Sequence, residues 1–295
     1  MSEPQSIGWI GTGVMGGPMA GHLLAAGHSV TVFNRTKSRA DEIVAAGARW
    51  ADSPAGLAAE SDVVFTMLGY PSDVREMALG EGGVVAAMRP GSLLIDMTTS
   101  EPSLAVEIAD AAAQRDVAAL DAPVSGGDVG ARNATLVIMV GGRQEAFDRA
   151  QPLFATLGRL AVRHGEAGSG QHTKMVNQIA IASGMIGVCE AMLYAQRAGL
   201  DVARVIDTIK DGAAGSWSLS NYGPRLLRDD LEPGFKIDHF VKDLGIALAE
   251  ARRMRLPLTG TALAEQLYVA AQAQGFGAKG TQALLATLAR IAAQD

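Results

Sequence analysis

The fold is decided near the start of the chain, where residues 7–28 read IGWIGTGVMGGPMAGHLLAAGH. The short apolar run Ile7–Ile10 predicts a β-strand, and the run after the glycines predicts an α-helix. Between the two runs, Gly11, Gly13 and Gly16 stand in G-x-G-x-x-G spacing. Such glycines permit a tight turn, close approach of the backbone to a bound group, and close packing of the helix on the strand. This stretch therefore predicts a strand–turn–helix unit that begins an α/β fold.

The same alternation of strands and helices continues through the first half of the chain. The predicted strands are Ile7–Ile10, Val30–Phe33, Val63–Met67, Leu93–Asp96, Ala118–Asp121 and Leu136–Val140. Helices are predicted between several of them, at Gly16–Ala26, Ser38–Ala46 and Glu101–Gln114. Strands that alternate with helices of this length imply right-handed crossovers and a largely parallel sheet covered on both faces. We therefore predict a doubly wound α/β Rossmann domain over residues 1–164.

The second half of the chain has a different pattern. After His164 the strand signal stops, and helical segments follow one another between glycines and prolines. Residues 165–200 start with a glycine-rich entry, and the run that follows is apolar on nearly every side, as expected of a helix in a core or between domains. We therefore predict an all-α domain over residues 165–295, which begins with a long inter-domain helix.

Composition and charge narrow the class of partner. The net charge is −6, and no run of five like charges is present, which argues against nucleic acid or an anionic membrane surface as a partner. The N-terminal segment MSEPQSIGWIG lacks the basic region of a secretory signal, and the apolar run Met175–Cys189 reads as too short and too polar to span a bilayer. Cys189 is the only cysteine, so a multi-cysteine metal site is excluded. We expect a cytoplasmic protein with a small-molecule partner, no membrane contact and no metal.

The glycine motif predicts a dinucleotide site, because a strand precedes it, a helix follows it, and a second strand stands at the expected distance. A helix N-terminus offers free N–H groups and a positive dipole to a pyrophosphate. The expected contacts are Gly11, Gly13, Val14, Met15 and Gly16. The alternative is a purely structural turn.

The end of the second strand indicates which dinucleotide binds. An NAD site usually carries an acid there, which bonds the ribose hydroxyls and would repel a 2′-phosphate. This chain has instead Asn34, Arg35, Thr36 and Lys37. A guanidinium, a hydroxyl and an ammonium suit a phosphate dianion. We predict a preference for NADP, with NAD possible; the alternative is that these are solvated surface residues.

Four ordered segments carry a resemblance to a known family. They are GTGVMGGPMAGHL (Gly11–Leu23), DAPVSGG (Asp121–Gly127), GSGQHTKMVNQ (Gly168–Gln178) and KDLGIAL (Lys242–Leu248). With them the chain resembles the β-hydroxyacid dehydrogenases, which include 3-hydroxyisobutyrate dehydrogenases, tartronate semialdehyde reductases and glyoxylate or succinic semialdehyde reductases. The resemblance implies reversible hydride transfer between a nicotinamide cofactor and a short β- or γ-hydroxy acid or its semialdehyde.

The resemblance also implies roles for residues of the second and third segments. Lys174 is the implied catalytic acid/base, and Asn177 helps to fix the substrate. Positions i and i+3 share a helix face, so both side chains can meet one substrate. Ser125, Gly126 and Gly127 are the implied carboxylate site. They follow a strand at the carboxyl edge of the sheet, where α/β proteins bind ligands, although a tight turn alone would look the same.

Further contacts are implied by the resemblance. Met67, Leu68 and Thr98 would lie beside the cofactor, and Ser100 could instead be a helix N-cap. Lys242 and Asp243 would reach the nicotinamide and Lys174, although a solvated charge pair would give the same sequence. Trp217 and Phe235 would form a wall of the substrate pocket.

Two other functions stay open at this point. An imine reductase of the same fold typically has another residue at the position of Lys174. A non-catalytic NADP-binding module generally loses that lysine. The segment after Trp217 reads SLSNYGPRLL and lacks the Asn-Pro-x-Pro-Gly pattern of the better-known 3-hydroxyisobutyrate dehydrogenases, so the substrate stays open. A homodimer or homotetramer is expected.

Overall fold

The computed structural model describes residues 4–293. The chain divides into two compact units, Met1–Lys174 and Met175–Asp295. The predicted boundary between residues 164 and 165 precedes this division, which falls inside a long helix.

The first unit alternates strands and helices. Its strands are β1 (Ser6–Ile10), β2 (Ser29–Phe33), β3 (Arg49–Trp50), β4 (Val63–Thr66), β5 (Leu93–Asp96), β6 (Ala118–Asp121), β7 (Val124–Ser125), β8 (Leu136–Gly141) and β9 (Gly158–Gly165). Its helices are α1 (Gly16–Ala25), α2 (Asp41–Ala45), α3 (Pro54–Ala59), α4 (Pro71–Leu79), α5 (Val84–Ala87), α6 (Pro102–Ala113), α7 (Gly127–Arg132) and α8 (Gln144–Leu157), with a 3₁₀ turn at Lys37–Ala40.

Within the described residues the strands form one nine-stranded sheet. The order is β3-β2-β1-β4-β5-β6-β8-β7, and β9 pairs with β8. All neighbours from β3 to β6 are parallel, whereas β8 runs antiparallel to β6 and β7. The first six strands therefore have the order of a Rossmann sheet, with the switch point between β1 and β4. The predicted doubly wound fold is confirmed.

Side chains of the central strands alternate between two cores. On β1 and β4, Trp9 and Phe65 pack into one buried cluster, while Ile10 and Val64 pack into the other. Successive residues of a strand point to opposite faces, so a strand covered by helices on both sides is apolar throughout. The carboxyl ends of these parallel strands consequently share one edge, where the loops after β1, β4, β5 and β6 lie.

Three strands were missed by sequence analysis. β3 and β7 have two residues each, too few to show a period. In β9 only Gly158 is buried, and the apolar side chain of Leu160 is 51% exposed. The sequence of this strand therefore lacks the alternation of apolar and polar residues that marks a half-buried strand. The predicted helix Ser38–Ala46 is in fact the 3₁₀ turn followed by the short helix α2.

The second unit is helical. Its helices are α9 (Ser169–Arg197, which starts in the first unit), α10 (Val202–Ile209), α11 (Trp217–Leu226), α12 (Ile237–Arg253), α13 (Thr259–Ala273) and α14 (Leu284–Ala292), with a 3₁₀ turn at Thr281–Ala283. Its main core includes Phe240 and Tyr268, whose rings meet edge to face at 4.9 Å. By length and composition alone, helix α9 could also cross a membrane. Sequence analysis considered only its part Met175–Cys189 and judged that run too short and too polar, so this expectation is corrected. A core helix of a soluble protein satisfies the same criterion.

Ala134 has a backbone conformation that favours glycine. It follows the C-cap of α7 with φ +52°, in the left-handed region that costs a Cβ-bearing residue roughly 1–2 kcal/mol. We predict that Ala134→Gly raises the free energy of unfolding by about 1 kcal/mol in urea denaturation. The matched control is Ala26→Gly at the C-cap of α1, where φ is −75° and glycine should destabilise. Equal effects of the two substitutions would contradict the prediction.

Candidate active site

The turn after β1 requires glycine at two positions. Gly11 has φ +97°, and a Cβ there would overlap the carbonyl oxygen of Met67. A Cβ on Gly16 would overlap the carbonyl oxygen of Gly11. Because both Cβ atoms are absent, the start of α1 can pack directly against the ends of β1 and β4. The turn consequently lies at the switch point of the sheet, where Rossmann domains bind dinucleotides.

The outer part of this turn can receive an anion. A Cβ added to Gly13 would meet no atom within 4 Å, and the next residue, Val14, is 63% exposed. The N–H groups of the first turn of α1 have no acceptor within the helix. Open space before a ten-residue helix N-terminus fits the pyrophosphate of a nicotinamide dinucleotide.

Trp9 holds the turn from below and was missed by sequence analysis. Its indole Nε1 donates to the carbonyl oxygen of Gly11 at 3.0 Å, and its ring stacks on Phe65 with centroids 5.1 Å apart. A buried tryptophan usually needs a partner for its N–H group. A tryptophan in a predicted buried strand therefore indicated a hydrogen bond from its indole N–H. The sequence did not indicate that the Gly11 carbonyl oxygen accepts this bond.

The segment after β2 combines one tethered residue with exposed cations. Asn34 accepts from the Thr12 amide at 3.1 Å and donates to the Thr36 carbonyl oxygen at 2.8 Å. The Arg35 side chain is 90% exposed and lies 3.6 Å from Asp73. Such an exposed ion pair is worth little, so the guanidinium can turn to another anion at little cost. Asn34 therefore ties the glycine turn to the segment that carries Arg35.

The loops after β4 and β5 are joined beside this turn. The Leu68 amide donates to Thr98 Oγ1 at 2.8 Å, and the Thr98 amide donates to Asp96 Oδ1 at 3.1 Å. Ser100 does not cap α6, because the N-cap residue is Glu101. The Ser100 amide instead bonds to Gln171.

The DAPVSGG segment forms a turn whose backbone favours glycine. Val124 and Ser125 pair with β8, and the next two residues, Gly126 and Gly127, have φ of +132° and +62°. Successive positive φ values strongly favour glycine. Ser125 is half-buried, so its hydroxyl stands at the edge of this turn.

Lys174 lies next to that turn. Only 7% of it is exposed, and its Nζ donates to the carbonyl oxygen of Val124 at 2.7 Å. It is the last residue of the first unit, and Asn177 follows one turn later on the same helix. The first unit therefore brings Lys174 to the backbone beside Ser125.

A buried carboxylate supports the start of the helix. Asp121 accepts from the amides of Gly168 and Gln171, both at 2.8 Å. Burial raises the pKa of Asp121 to about 6; the two amide bonds oppose this rise, and the charge of Asp96 on the next strand adds to it. This group was quoted as part of a motif but not predicted as a site residue.

The second unit has a polar cluster of its own. Asn177 Nδ2 donates to Gln178 Oε1 at 2.8 Å, and Gln178 Nε2 donates to Asp243 Oδ2 at 2.6 Å. Lys242 Nζ lies 3.0 Å from Asp243 Oδ1; the Asp243 side chain is buried, and the Lys242 side chain is 12% exposed. The alternative of a solvated Lys242–Asp243 pair is therefore wrong. Side chains at adjacent helix positions point in different directions, but the Lys242 side chain is long enough to reach the Asp243 carboxylate.

The two aromatic candidates also lie in the second unit. Trp217 is 56% exposed and meets the Tyr222 ring edge to face at 5.3 Å. Phe235 is half-buried, with its ring 6.5 Å from His239. Burial and the charge of Lys242 lower the pKa of His239, which sequence analysis did not single out.

Residues 4–293 contain neither a cluster of metal ligands nor a reactive thiol. This part of the chain holds no group of three His, Cys, Asp or Glu side chains that could bind a metal ion. Cys189 is buried, and burial raises the pKa of its thiol to about 12. A thiol with that pKa is a poor nucleophile.

Two family models match the chain. The NAD binding domain of 6-phosphogluconate dehydrogenase matches residues 6–168, which is more than half of the chain. The NAD-binding domain of NADP-dependent 3-hydroxyisobutyrate dehydrogenase matches residues 168–288. This chain belongs to the β-hydroxyacid dehydrogenase family.

Similar proteins bear the same family names. The probable 3-hydroxyisobutyrate dehydrogenase-like 1, mitochondrial, of Arabidopsis thaliana is 54% identical over 97% of this chain and 85% of its own length. The 2-hydroxy-3-oxopropionate reductase of Escherichia coli is 37% identical over 97% of this chain and 98% of its own. A solved structure of Mycobacterium tuberculosis 3-hydroxyisobutyrate dehydrogenase with L-serine has a TM-score of 0.88 and 32% identity, covering 97% and 99% of the two chains.

This β-hydroxyacid dehydrogenase is therefore an NAD(P)-dependent enzyme with a nicotinamide cofactor and a small carboxylate-bearing substrate. Its membership of the predicted family is confirmed. The roles of individual residues stay predictions.

Asp121 gives this dehydrogenase an unusual pH dependence of stability. A carboxyl whose pKa is about 6 when folded and 3.8 when exposed binds more protons in the folded state between these values. Its contribution to stability is complete below pH 4 and is lost as the pH rises through 6. We predict that the unfolding free energy of Asp121→Asn minus that of the wild type increases from pH 4 to pH 7, by up to about 3 kcal/mol. Urea denaturation at both pH values measures this difference, and a flat or falling difference would contradict the prediction.

Proposed function

We propose that this enzyme interconverts a short β- or γ-hydroxy acid and its semialdehyde, prefers NADP, and uses Lys174 as general acid/base. Substrates of the 3-hydroxyisobutyrate, tartronate semialdehyde or succinic semialdehyde type fit this proposal. The names of the relatives from Arabidopsis and Escherichia coli support the class.

The observation that carries the proposal is the place of the Lys174 ammonium. It is buried at the carbonyl oxygen of Val124, directly before the turn of Ser125, Gly126 and Gly127. A carboxylate on that turn would place a short substrate within reach of the lysine. Carboxylate binding and acid/base chemistry would then be served by neighbouring residues of the first unit.

The chemistry of the residues follows from this arrangement. When bound, the nicotinamide ring supplies the hydride for reduction or accepts it for oxidation. Lys174 Nζ gives a proton to the carbonyl oxygen in reduction and takes the hydroxyl proton in oxidation. The Ser125 hydroxyl and the backbone amides of Gly126 and Gly127 bind the carboxylate, and Asn177 fixes the substrate.

The remaining assignments are proposals that rest on the same resemblance. The proposed cofactor contacts are Gly11, Gly13, Val14, Met15, Gly16, Asn34, Arg35, Thr36, Met67, Leu68, Thr98, Lys242 and Asp243, and Trp217 and Phe235 are proposed substrate contacts. We further propose a cytoplasmic homodimer or homotetramer whose helical second domain serves oligomerisation, with no nucleic-acid or membrane partner.

Preference for NADP is supported by Arg35 and by the acid missing after β2. The exposed guanidinium can bind a 2′-phosphate, whereas the ribose diol of NAD lacks its usual carboxylate partner. The family model of the second unit also bears the name of an NADP-dependent enzyme.

Substitution of Lys174 tests the proposed reaction. The assay follows nicotinamide absorbance with glyoxylate, succinic semialdehyde, tartronate semialdehyde and methylmalonate semialdehyde. On the best substrate we predict that Lys174→Ala lowers kcat about 100- to 10,000-fold, because the proton donor is lost. Lys210→Ala, at an exposed lysine paired with Asp207, is the control and should keep wild-type kcat.

The outcomes of this assay separate the alternatives. Full turnover by Lys174→Ala would exclude the proposed role of the lysine. Turnover by the wild type on a cyclic imine alone would favour an imine reductase, and NADP binding without turnover would favour a non-catalytic module.

Substitution of Arg35 tests the preference for NADP. We predict that Arg35→Ala raises the KM for NADPH about 10- to 100-fold, since a charge-assisted bond contributes about 1.5–3 kcal/mol. The KM for NADH should change less than threefold, because NADH has no 2′-phosphate and an exposed arginine contributes about 1 kcal/mol or less to other contacts. Arg39→Ala, at an exposed residue of the 3₁₀ turn that begins two residues after Arg35, is the matched control. Equal losses for both cofactors would contradict a phosphate contact.

A further inference from the structure

The start of helix α9 is capped by a side chain from another element. Asp121 stands at the end of β6, yet its two carboxylate oxygens accept from Gly168 and Gln171 at the first turn of α9. These N–H groups have no acceptor within the helix. Asp121 thus does for α9 what an N-cap residue normally does, from a position 47 residues away in sequence.

Gln171 makes a second bridge from the same turn. It is fully buried, its Oε1 accepts from the Ser100 amide at 2.9 Å, and its Nε2 donates to the Thr98 carbonyl oxygen at 2.7 Å. Both ends of the amide are therefore used, and both reach the loop after β5. This loop carries Thr98, a proposed cofactor contact.

Close backbone packing leaves this turn little freedom to shift. A Cβ on Gly170 would overlap the carbonyl oxygens of Asp121 and Met139, and one on Gly141 would overlap the Asp121 carboxylate. The helix start is thereby fixed in position against β6 and β8. Gln171 and Lys174 are three residues apart, so the bridge and the lysine share a helix face.

We propose that Asp121 and Gln171 are positioning residues, which hold the helix so that Lys174 meets the turn of residues 125–127 and the loop of residues 98–100 in one register. Asp121 sets the helix against the segment that contains Val124, the acceptor of the Lys174 ammonium. Gln171 sets it against the loop after β5. The inference rests on the proposed catalytic role of Lys174.

The chemistry of Asp121 indicates more than a stabilising contact. Burial disfavours its ionised form, as the raised pKa shows, so the charged carboxylate costs stability at neutral pH. The carboxylate form is nevertheless the one that can accept from two amides at once. Groups that cost stability in this way are typical of functional sites.

The test compares Asp121→Asn and Gln171→Met with a matched control. Asparagine keeps one acceptor oxygen, and methionine keeps the length of glutamine but loses both bonds. Thr173→Val removes a hydroxyl of the same helix turn that bonds only to the Ser169 carbonyl oxygen in the described contacts. For each folded variant, kcat and KM are measured with the best semialdehyde, and the Kd for NADPH is measured by fluorescence.

We expect kcat to fall about 10- to 100-fold in Asp121→Asn and Gln171→Met, because a displacement of about 1 Å at a reacting group can cost that much. KM for the semialdehyde should stay within about threefold of the wild type in Asp121→Asn, as should the Kd for NADPH. Thr173→Val should keep wild-type kcat.

Three results would overturn the positioning role: unchanged kcat in both variants, an equal loss in Thr173→Val, or a loss confined to KM and Kd. Should Asp121→Asn fail to fold, Gln171→Met decides alone. Full turnover by Lys174→Ala would instead refute the proposed function, so the two failures are distinguishable.

Discussion

The place of Lys174 in the first unit depends on one constraint: the N-terminus of α9 must lie against the ends of β6 and β8 without side chains between them. Glycine at positions 141 and 170 permits this approach, and the Asp121 carboxylate satisfies the amides that the helix leaves unpaired. The part of the helix that belongs to this unit, as far as Lys174, takes its position from this junction. Lys174 lies one turn beyond it and reaches the Val124 carbonyl oxygen.

The glycine turn after β1, at the same carboxyl edge of the sheet, is built in a similar way. Gly11 and Gly16 remove the Cβ atoms that would separate α1 from β1, and Trp9 fixes the carbonyl oxygen of Gly11. At both places glycine allows close contact, and a buried polar side chain then sets the geometry. The glycine turn and the lysine-bearing helix are therefore held by similar means on one sheet.

Much of the fold was predictable because its signals are local. The central strands are apolar on both faces and bounded by turns, so the sequence predicts β5 and β6 with the bounds that the structure has. Strands β3 and β7 could not be predicted, since two residues show no period. Strand β9 could not be predicted because its exposed edge position leaves no apolar pattern.

The candidate site was predictable only where a motif lies within one segment. The glycine turn, the turn at residues 125–127 and Lys174 each belong to a short continuous stretch. By contrast, Gln171 bonds to Ser100 across 71 residues, and Gln178 bonds to Asp243 across 65. Such partners depend on the folded chain, and no local spacing indicates them. For a related reason the sequence left a solvated Lys242–Asp243 pair open as an alternative, because the burial of Asp243 depends on the folded chain.

A crystal structure of the enzyme with NADP and its hydroxy acid tests the central claim most directly. The account predicts the substrate carboxylate on the amides of residues 125–127, and Lys174 Nζ within about 3.2 Å of the substrate hydroxyl oxygen. A hydroxyl oxygen bonded to another side chain, with Lys174 Nζ still on the Val124 carbonyl oxygen and out of reach, would contradict it.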